Sequence, residues 1–360
     1  MQNRYAAIDG LRGIAAIAVV MFHAKGWFGA AWPARGYVAV DLFFVLSGFV
    51  IAASYEHRLR AGMTLRRFFL IRAIRLFPLY LIGLAAAVLV LSLAPEARDT
   101  FIGGRVMDLR ALPFALLALP SPLGGSRADL VYPLNFPAWS LFFEFAINIL
   151  YALTWRRWTL RLLPAPILVS GLLLIIFGGD GDKGWAWEGF PVGMLRCLYA
   201  FPFGVLIFRL RSEGYRAPAV PGLACLAAFG ALLLIPAQYA IPVAILAGAP
   251  LTAAFAASAT ARGALLPLFS TLGLVSYALY ALHIPLINAT RAVLFRLNAH
   301  PDPYAIGFAF LAAIIPLCFF VARYCDDPIR AALTSALLGG RSLLPSPWFA
   351  GLRKSAPARS

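Results

Sequence analysis

Residues 8–23, Ile8-Asp9-Gly10-Leu11-Arg12-Gly13-Ile14-Ala15-Ala16-Ile17-Ala18-Val19-Val20-Met21-Phe22-His23, decide the fold. The stretch is apolar enough to enter a membrane, yet it holds an arginine and a histidine eleven positions apart. At ~100° per residue, eleven steps make three turns plus ~20°, so both side chains share one helical stripe, ~16 Å apart along the axis. Ionisable groups inside a membrane helix are costly and face a bundle interior or a water-filled path. A secretory signal peptide is the competing interpretation. Arg12 and His23 bracket the apolar run, however, and many more apolar runs follow it, which favours a polytopic bundle built around this stripe.

Composition agrees. Of 360 residues, 62% are hydrophobic and only 13% charged, with a mean hydropathy of +0.82. A soluble domain carries about a quarter charged residues, so the class is all-α polytopic membrane protein. A formal net charge of +16 would point to nucleic acid in a soluble chain. Here the arginines cluster in short loops between apolar runs, the pattern of the positive-inside rule, and no nucleic-acid partner is expected. The four cysteines, Cys197, Cys225, Cys318 and Cys325, show no metal-ligand spacing, and no metal is expected.

Outward from that first helix, the second runs to about residue 54 from Gly36-Tyr37-Val38-Ala39-Val40-Asp41. Arg58, Arg60, Arg66 and Arg67 then mark the strongest cytoplasmic loop. A third helix covers about 70–94. In the Pro- and Gly-rich segment 95–136, the apolar stretch Ala111 to Leu119 is too short to span and contains Pro113, so residues 108–120 are expected to be interfacial or re-entrant. A fourth span opens at Asn135-Phe136-Pro137-Ala138-Trp139-Ser140 and ends before Arg156, and a fifth covers about 162–178. A sixth returns to Arg209, and four more follow at about 219–236, 239–258, 265–290 and 304–324. That makes about ten helices with both termini cytoplasmic. Residues 1–330 form the transmembrane domain, and 331–360 a basic, flexible cytoplasmic tail. Arg291 and Arg296 sit near the outer end of the ninth span, against the charge rule.

Sorted by depth, the polar groups fall into two levels. Arg12 and the pair Arg72-Ala73-Ile74-Arg75 lie toward the inner face. The i,i+3 spacing of that pair projects two guanidinium groups from one side, a geometry suited to phosphate. In the outer half lie His23, Asp41, Glu144, Tyr277, Tyr280 and His283. An unprotonated histidine held by a carboxylate is a general base for a hydroxyl, so Asp41 or Glu144 is expected to orient His23. Plainer roles compete: Arg72 and Arg75 as positive-inside residues, Asp41 as a helix cap, and Glu144 as a partner for a buried cation. His283 and Trp139 would then be interfacial residues. Arg12 resists such an account, because an arginine a few residues into a span needs a partner.

These residues resemble acyltransferase family 3 of bacterial membrane-bound acyltransferases. The matching pieces are Asp9-Gly10-Leu11-Arg12-Gly13 with His23, Gly36 to Phe49, and Arg72-Ala73-Ile74-Arg75 with Leu76-Phe77-Pro78-Leu79-Tyr80. Trp139-Ser140-Leu141-Phe142-Phe143-Glu144 and Ser276 to His283 complete the set in the family's order. The resemblance implies a multi-pass enzyme of the bacterial cytoplasmic (inner) membrane. It would take an acyl group, acetyl first among the candidates, from cytoplasmic acyl-CoA to a carbohydrate or glycoconjugate hydroxyl. Arg12 and His23 carry over as essential residues, and Arg72 and Arg75 as the second basic pair. No C-terminal hydrolase-like domain is expected. On this reading His23, Glu144, Asp41 and His283 serve catalysis, while Arg12, Arg72 and Arg75 bind acyl-CoA. Tyr277, Tyr280 and Trp139 contact the acceptor. The competing function is a transporter or flippase, since buried Arg, His and Glu also line transport paths. The oligomeric state is not legible in the sequence.

Overall fold

The computed structural model describes residues 5–94, 109–123 and 129–339. Among these there is no β-strand, only two isolated bridges, Leu130 with Ala186 and Pro221 with Thr260. Eight helices are long and apolar enough to cross a membrane. The first three are α1 (Ala6–His23), α2 (Val38–Arg60) and α3 (Leu65–Leu93). After the five-residue α4 (Leu112–Leu116) comes α5 (Ala138–Thr154). Then follow α6 (Pro164–Phe177), α7 (Phe190–Ser212) and α8 (Gly222–Leu232). A π-helical run, Ala240–Gly248, leads into α9 (Ala249–Ser258). The longest helix is α10 (Leu265–Arg296), followed by α11 (Pro303–Phe320) and, after a second π-helical run at Val321–Asp326, by α12 (Asp327–Leu338).

The chain is an all-α polytopic membrane protein. Two of the ten expected spans are short: α6 has 14 residues and α8 has 11. They rise only ~21 Å and ~16 Å, against a hydrocarbon core of about 30 Å. The segment at 109–117 is a single tight turn followed by α4, so it does not span. It lies against α3, where Tyr80 donates to the Ala115 carbonyl at 2.6 Å. The rest of the segment, 95–108 and 124–128, lies outside the described residues, as does the tail beyond 339. The boundary at residue 331 falls inside α12, which ends on Gly339 in the left-handed conformation that glycine tolerates (φ 73°).

Two crossings place the site. α1 runs along α10, and α2 along α7. Small residues let the backbones close, the usual device where lipid supplies no hydrophobic driving force between helices. A Cβ on Gly13 would overlap Leu272 of α10. Gly48 and Gly204 face each other's helices so closely that a Cβ on either would strike the opposing carbonyl, of Phe201 or Val45. The outward faces remain apolar: Leu168, Leu172, Ile175 and Phe177 of α6 are each more than half exposed, as a lipid-facing surface requires.

A proline sets the backbone near His283. Pro285 has no N–H, so α10 cannot bond the Ala281 carbonyl four residues earlier. Asn135, in the turn before α5, donates to that carbonyl instead at 3.0 Å. A buried carbonyl is thereby satisfied, and α10 is tied to the start of α5 about half a turn from the histidine.

Candidate functional site

At the far end of α1, the ring of His23 meets the ring of His283 from α10. Nδ1 of His283 lies 2.8 Å from the Tyr280 carbonyl and 3.0 Å from that of Leu279. Carbonyls only accept, so Nδ1 carries the proton and Nε2 presents a lone pair. That lone pair is 3.0 Å from Nδ1 of His23, which therefore donates. His23 also bonds the Val19 carbonyl within its own helix. Its Nε2 is left unprotonated. Phe136 packs edge-on against the His23 ring at 4.9 Å, and His283 is fully buried while His23 is half-buried. The positive charge of Arg291, which stacks over Trp27 at 5.7 Å, reaches His23.

The arginines gather on the opposite half. Arg12 is six residues into α1 and Arg72 seven into α3, so both lie ~10 Å from their helix starts. Nη2 of Arg72 pairs with Oε1 of Glu144 at 2.9 Å, and Ser47 donates to the same oxygen at 3.0 Å. Nε of Arg72 is buried with no partner. Arg75 lies over the Tyr277 ring, 6.0 Å from its centre, within the fields of Arg330, Arg12 and Arg72. Among the described residues, neither Arg12 nor Arg75 makes an ion pair or hydrogen bond through its guanidinium. Asp9, one turn before Arg12, feels both charges.

Three expectations need correction. The group that orients His23 is His283; neither Asp41 nor Glu144 is bonded to it. Asp41 is held by Arg196 of α7, with Nε to Oδ1 at 3.0 Å and Nη2 to Oδ2 at 2.6 Å. Glu144 belongs to Arg72, which joins two depth levels that the sequence reading kept apart. Trp139 lies against Arg196, 5.5 Å from its guanidinium carbon, at the start of α5. The two tyrosines brace the bundle: Tyr277 donates to the Leu76 carbonyl at 2.7 Å and Tyr280 to that of Pro137 at 2.6 Å. Ser140 also meets the Tyr280 hydroxyl.

Sequence reading missed Arg196. An arginine six residues into the apolar run of α7 needs a carboxylate at its own depth, and Asp41, three residues into α2, which runs parallel to α7, is at that depth. Outside the spans, burial pushes the phenol of Tyr37 up to about 12, so it stays a neutral donor to the Asp180 carbonyl at 2.6 Å. Burial likewise raises the carboxyl of Asp182, against the opposing pull of Arg196.

An anion-ready arginine cluster and a basic imidazole are thus joined by one helix, α1, in a lipid-embedded bundle. The family model described as an acyltransferase domain matches residues 5–323. The chain belongs to acyltransferase family 3. It is similar to protein 2 in the picA locus of Rhizobium radiobacter, 38% identical over 189 residues that cover 49% of this chain and 96% of that protein. Acyltransferase MdmB of Streptomyces mycarofaciens is 28% identical over 324 residues, 79% of each chain. Peptidoglycan O-acetyltransferase OatA of Listeria monocytogenes is 33% identical over 85 residues, 23% of this chain and 13% of that protein. No solved structure matches the chain. As a family 3 member the protein is a multi-pass membrane acyltransferase, and it takes an acyl donor.

Proposed function

We propose that the protein moves an acyl group, acetyl first among the candidates, from acyl-CoA to a hydroxyl of a carbohydrate or glycoconjugate. The bacterial inner membrane is the proposed location. The loops with Arg58, Arg60, Arg66 and Arg67 and with Arg156, Arg157 and Arg161 lie at the arginine half, which the charge rule assigns to the cytoplasm. There Arg12, Arg72 and Arg75 would hold the donor's phosphates, guanidinium forks being suited to phosphate oxygens. The pantetheine arm then follows α1 outward over the ~16 Å between Arg12 and His23.

The observation that supports this reading is the contact of His283 Nε2 with His23 Nδ1 at 3.0 Å. It fixes the tautomer in which His23 Nε2 is basic. Nε2 takes the proton of the acceptor hydroxyl as its oxygen attacks the thioester carbonyl. The resulting imidazolium keeps its Nδ1–H on His283. When the carbon–sulfur bond breaks, the same proton passes from Nε2 to the departing CoA thiolate. The products are an ester and free CoA, and the histidines end as they began. The glycan acceptor draws support from the O-acetyltransferase name that OatA carries.

Purified protein in lipid nanodiscs, given labelled acetyl-CoA and a glycan acceptor, tests the reading. His23→Ala is expected to lower transfer about 10²–10⁴-fold, the usual share of a general base. His283→Ala should fall in the same range, and the double variant should be little worse than either single, since groups acting as one unit are not additive. Near-normal transfer by His23→Ala refutes the assignment. Movement of substrate across proteoliposomes without covalent change would replace it by the transporter reading.

A further inference from the structure

Beyond the three arginines of the donor site, a fourth approaches from the chain's C-terminal side. After α11 the π-helical run Val321–Asp326 delivers the chain to α12, which packs along α3. The foremost charge acting on Arg75 is that of Arg330. Its side chain is only 14% exposed. Yet it is weakly engaged. Nη1 makes both of its contacts, 3.3 Å to Oδ2 of Asp326 and 3.6 Å to Oδ1 of Asp327. The first is at the long end for a hydrogen bond and the second is beyond it. Nε and Nη2 of Arg330 bond to nothing among the described residues. Asp326 is equally half-used: it is 2% exposed, and its Oδ1 is buried without a partner.

A guanidinium that merely braced α12 would turn its fork onto one carboxylate and use two nitrogens. Here the fork stays open while four like charges, Arg12, Arg72, Arg75 and Arg330, share one neighbourhood. Resting on the acyl-CoA reading above, we propose that Arg330 is a fourth arm of the donor site. It grips a phosphate group of acyl-CoA in exchange for its loose contacts with Asp326 and Asp327, so that α12 forms one wall of the donor pocket. The two aspartates hold the guanidinium in place until an anion arrives, and they repel that anion mildly.

The proposal predicts effects of opposite sign, which a structural ion pair cannot give. CoA binding is measured by calorimetry on the full chain in nanodiscs. Arg330→Ala should weaken it by about tenfold or more, the range of one charge-assisted hydrogen bond. Asp327→Asn, which removes a negative charge beside the phosphate, should tighten it several-fold. Binding of 3′-dephospho-CoA identifies the phosphate. If wild type and Arg330→Ala bind it equally, the arm holds the 3′-phosphate; if Arg330→Ala is again weaker, it holds the pyrophosphate. Equal CoA binding by wild type and Arg330→Ala overturns the proposal and leaves the acyl-CoA reading intact. A loss of affinity in both Arg330→Ala and Asp327→Asn also overturns it, by reducing the pair to a brace. Wild-type protein that fails to bind CoA overturns the reading and the proposal together.

Discussion

Two groups of buried arginine sit in this bundle and are handled in opposite ways. Arg196, 1% exposed, uses every nitrogen: two bonds to Asp41, one to the Lys183 carbonyl at 2.7 Å and one to the Tyr37 carbonyl at 3.0 Å, with Trp139 against its face. At the other half, Arg72 leaves a buried Nε unbonded, Arg12 and Arg75 have no hydrogen-bonding partner among the described residues, and Arg330 holds two carboxylates loosely. Both groups carry a desolvation cost. Saturation separates them. A guanidinium with all donors engaged fixes helices, whereas one with donors left over in a half-buried site is set up for an anion that comes and goes.

The largest effect should come from breaking the saturated pair. Asp41→Asn or Arg196→Met leaves one buried charge unpaired, which costs about 3–5 kcal/mol. Thermal unfolding in detergent should show a severe loss of folded protein for either variant. The double variant Asp41→Leu with Arg196→Met should recover much of it, because no charge is then stranded. If Asp41→Asn folds normally and loses only transfer activity, Asp41 is part of the chemistry and the contrast collapses.

A smaller effect sharpens the other side. Glu144 bonds Arg72 and Ser47, not His23. Glu144→Gln is therefore expected to cost no more than about tenfold in turnover, well short of the ~10²–10⁴-fold for a lost base. Its main effect should fall on donor affinity, through a less firmly held Arg72. A turnover loss as deep as that of His23→Ala would return Glu144 to the proton path.

How much was legible follows from which distances a sequence encodes. The apolar runs gave the helices, since length and hydropathy are local. The Arg12–His23 stripe was also local, being eleven residues of one helix. Partner choice across helices was not. His23 and His283 are 260 positions apart and both neutral, so no charge rule pairs them. Counting depth from loop boundaries placed Arg72 near the face and Glu144 in the outer half. Yet α5 has only 17 residues, and Glu144 lies ~9 Å from its start and ~15 Å from its end, where it meets Arg72 midway. Depth orders groups along the membrane normal and says nothing of neighbours within the plane. That is why Asp41 was assigned to a histidine instead of to Arg196.

The tyrosines of α10 give the finest test of the same idea. Tyr277 and Tyr280 share a face with His283 and, on spacing alone, looked ready to meet an acceptor. Their hydroxyls are instead engaged by backbone carbonyls, as the nitrogens of Arg196 are engaged by Asp41. Tyr277→Phe removes one hydrogen bond and keeps the ring under Arg75, so stability should fall by only about 1 kcal/mol. Donor and acceptor KM should both stay within about twofold, less than the ~0.5–1.5 kcal/mol that a lost substrate hydrogen bond would show. A rise in acceptor KM with unchanged unfolding would mean that the Leu76 bond opens for substrate, and saturation would no longer distinguish a brace from a binding group in this bundle.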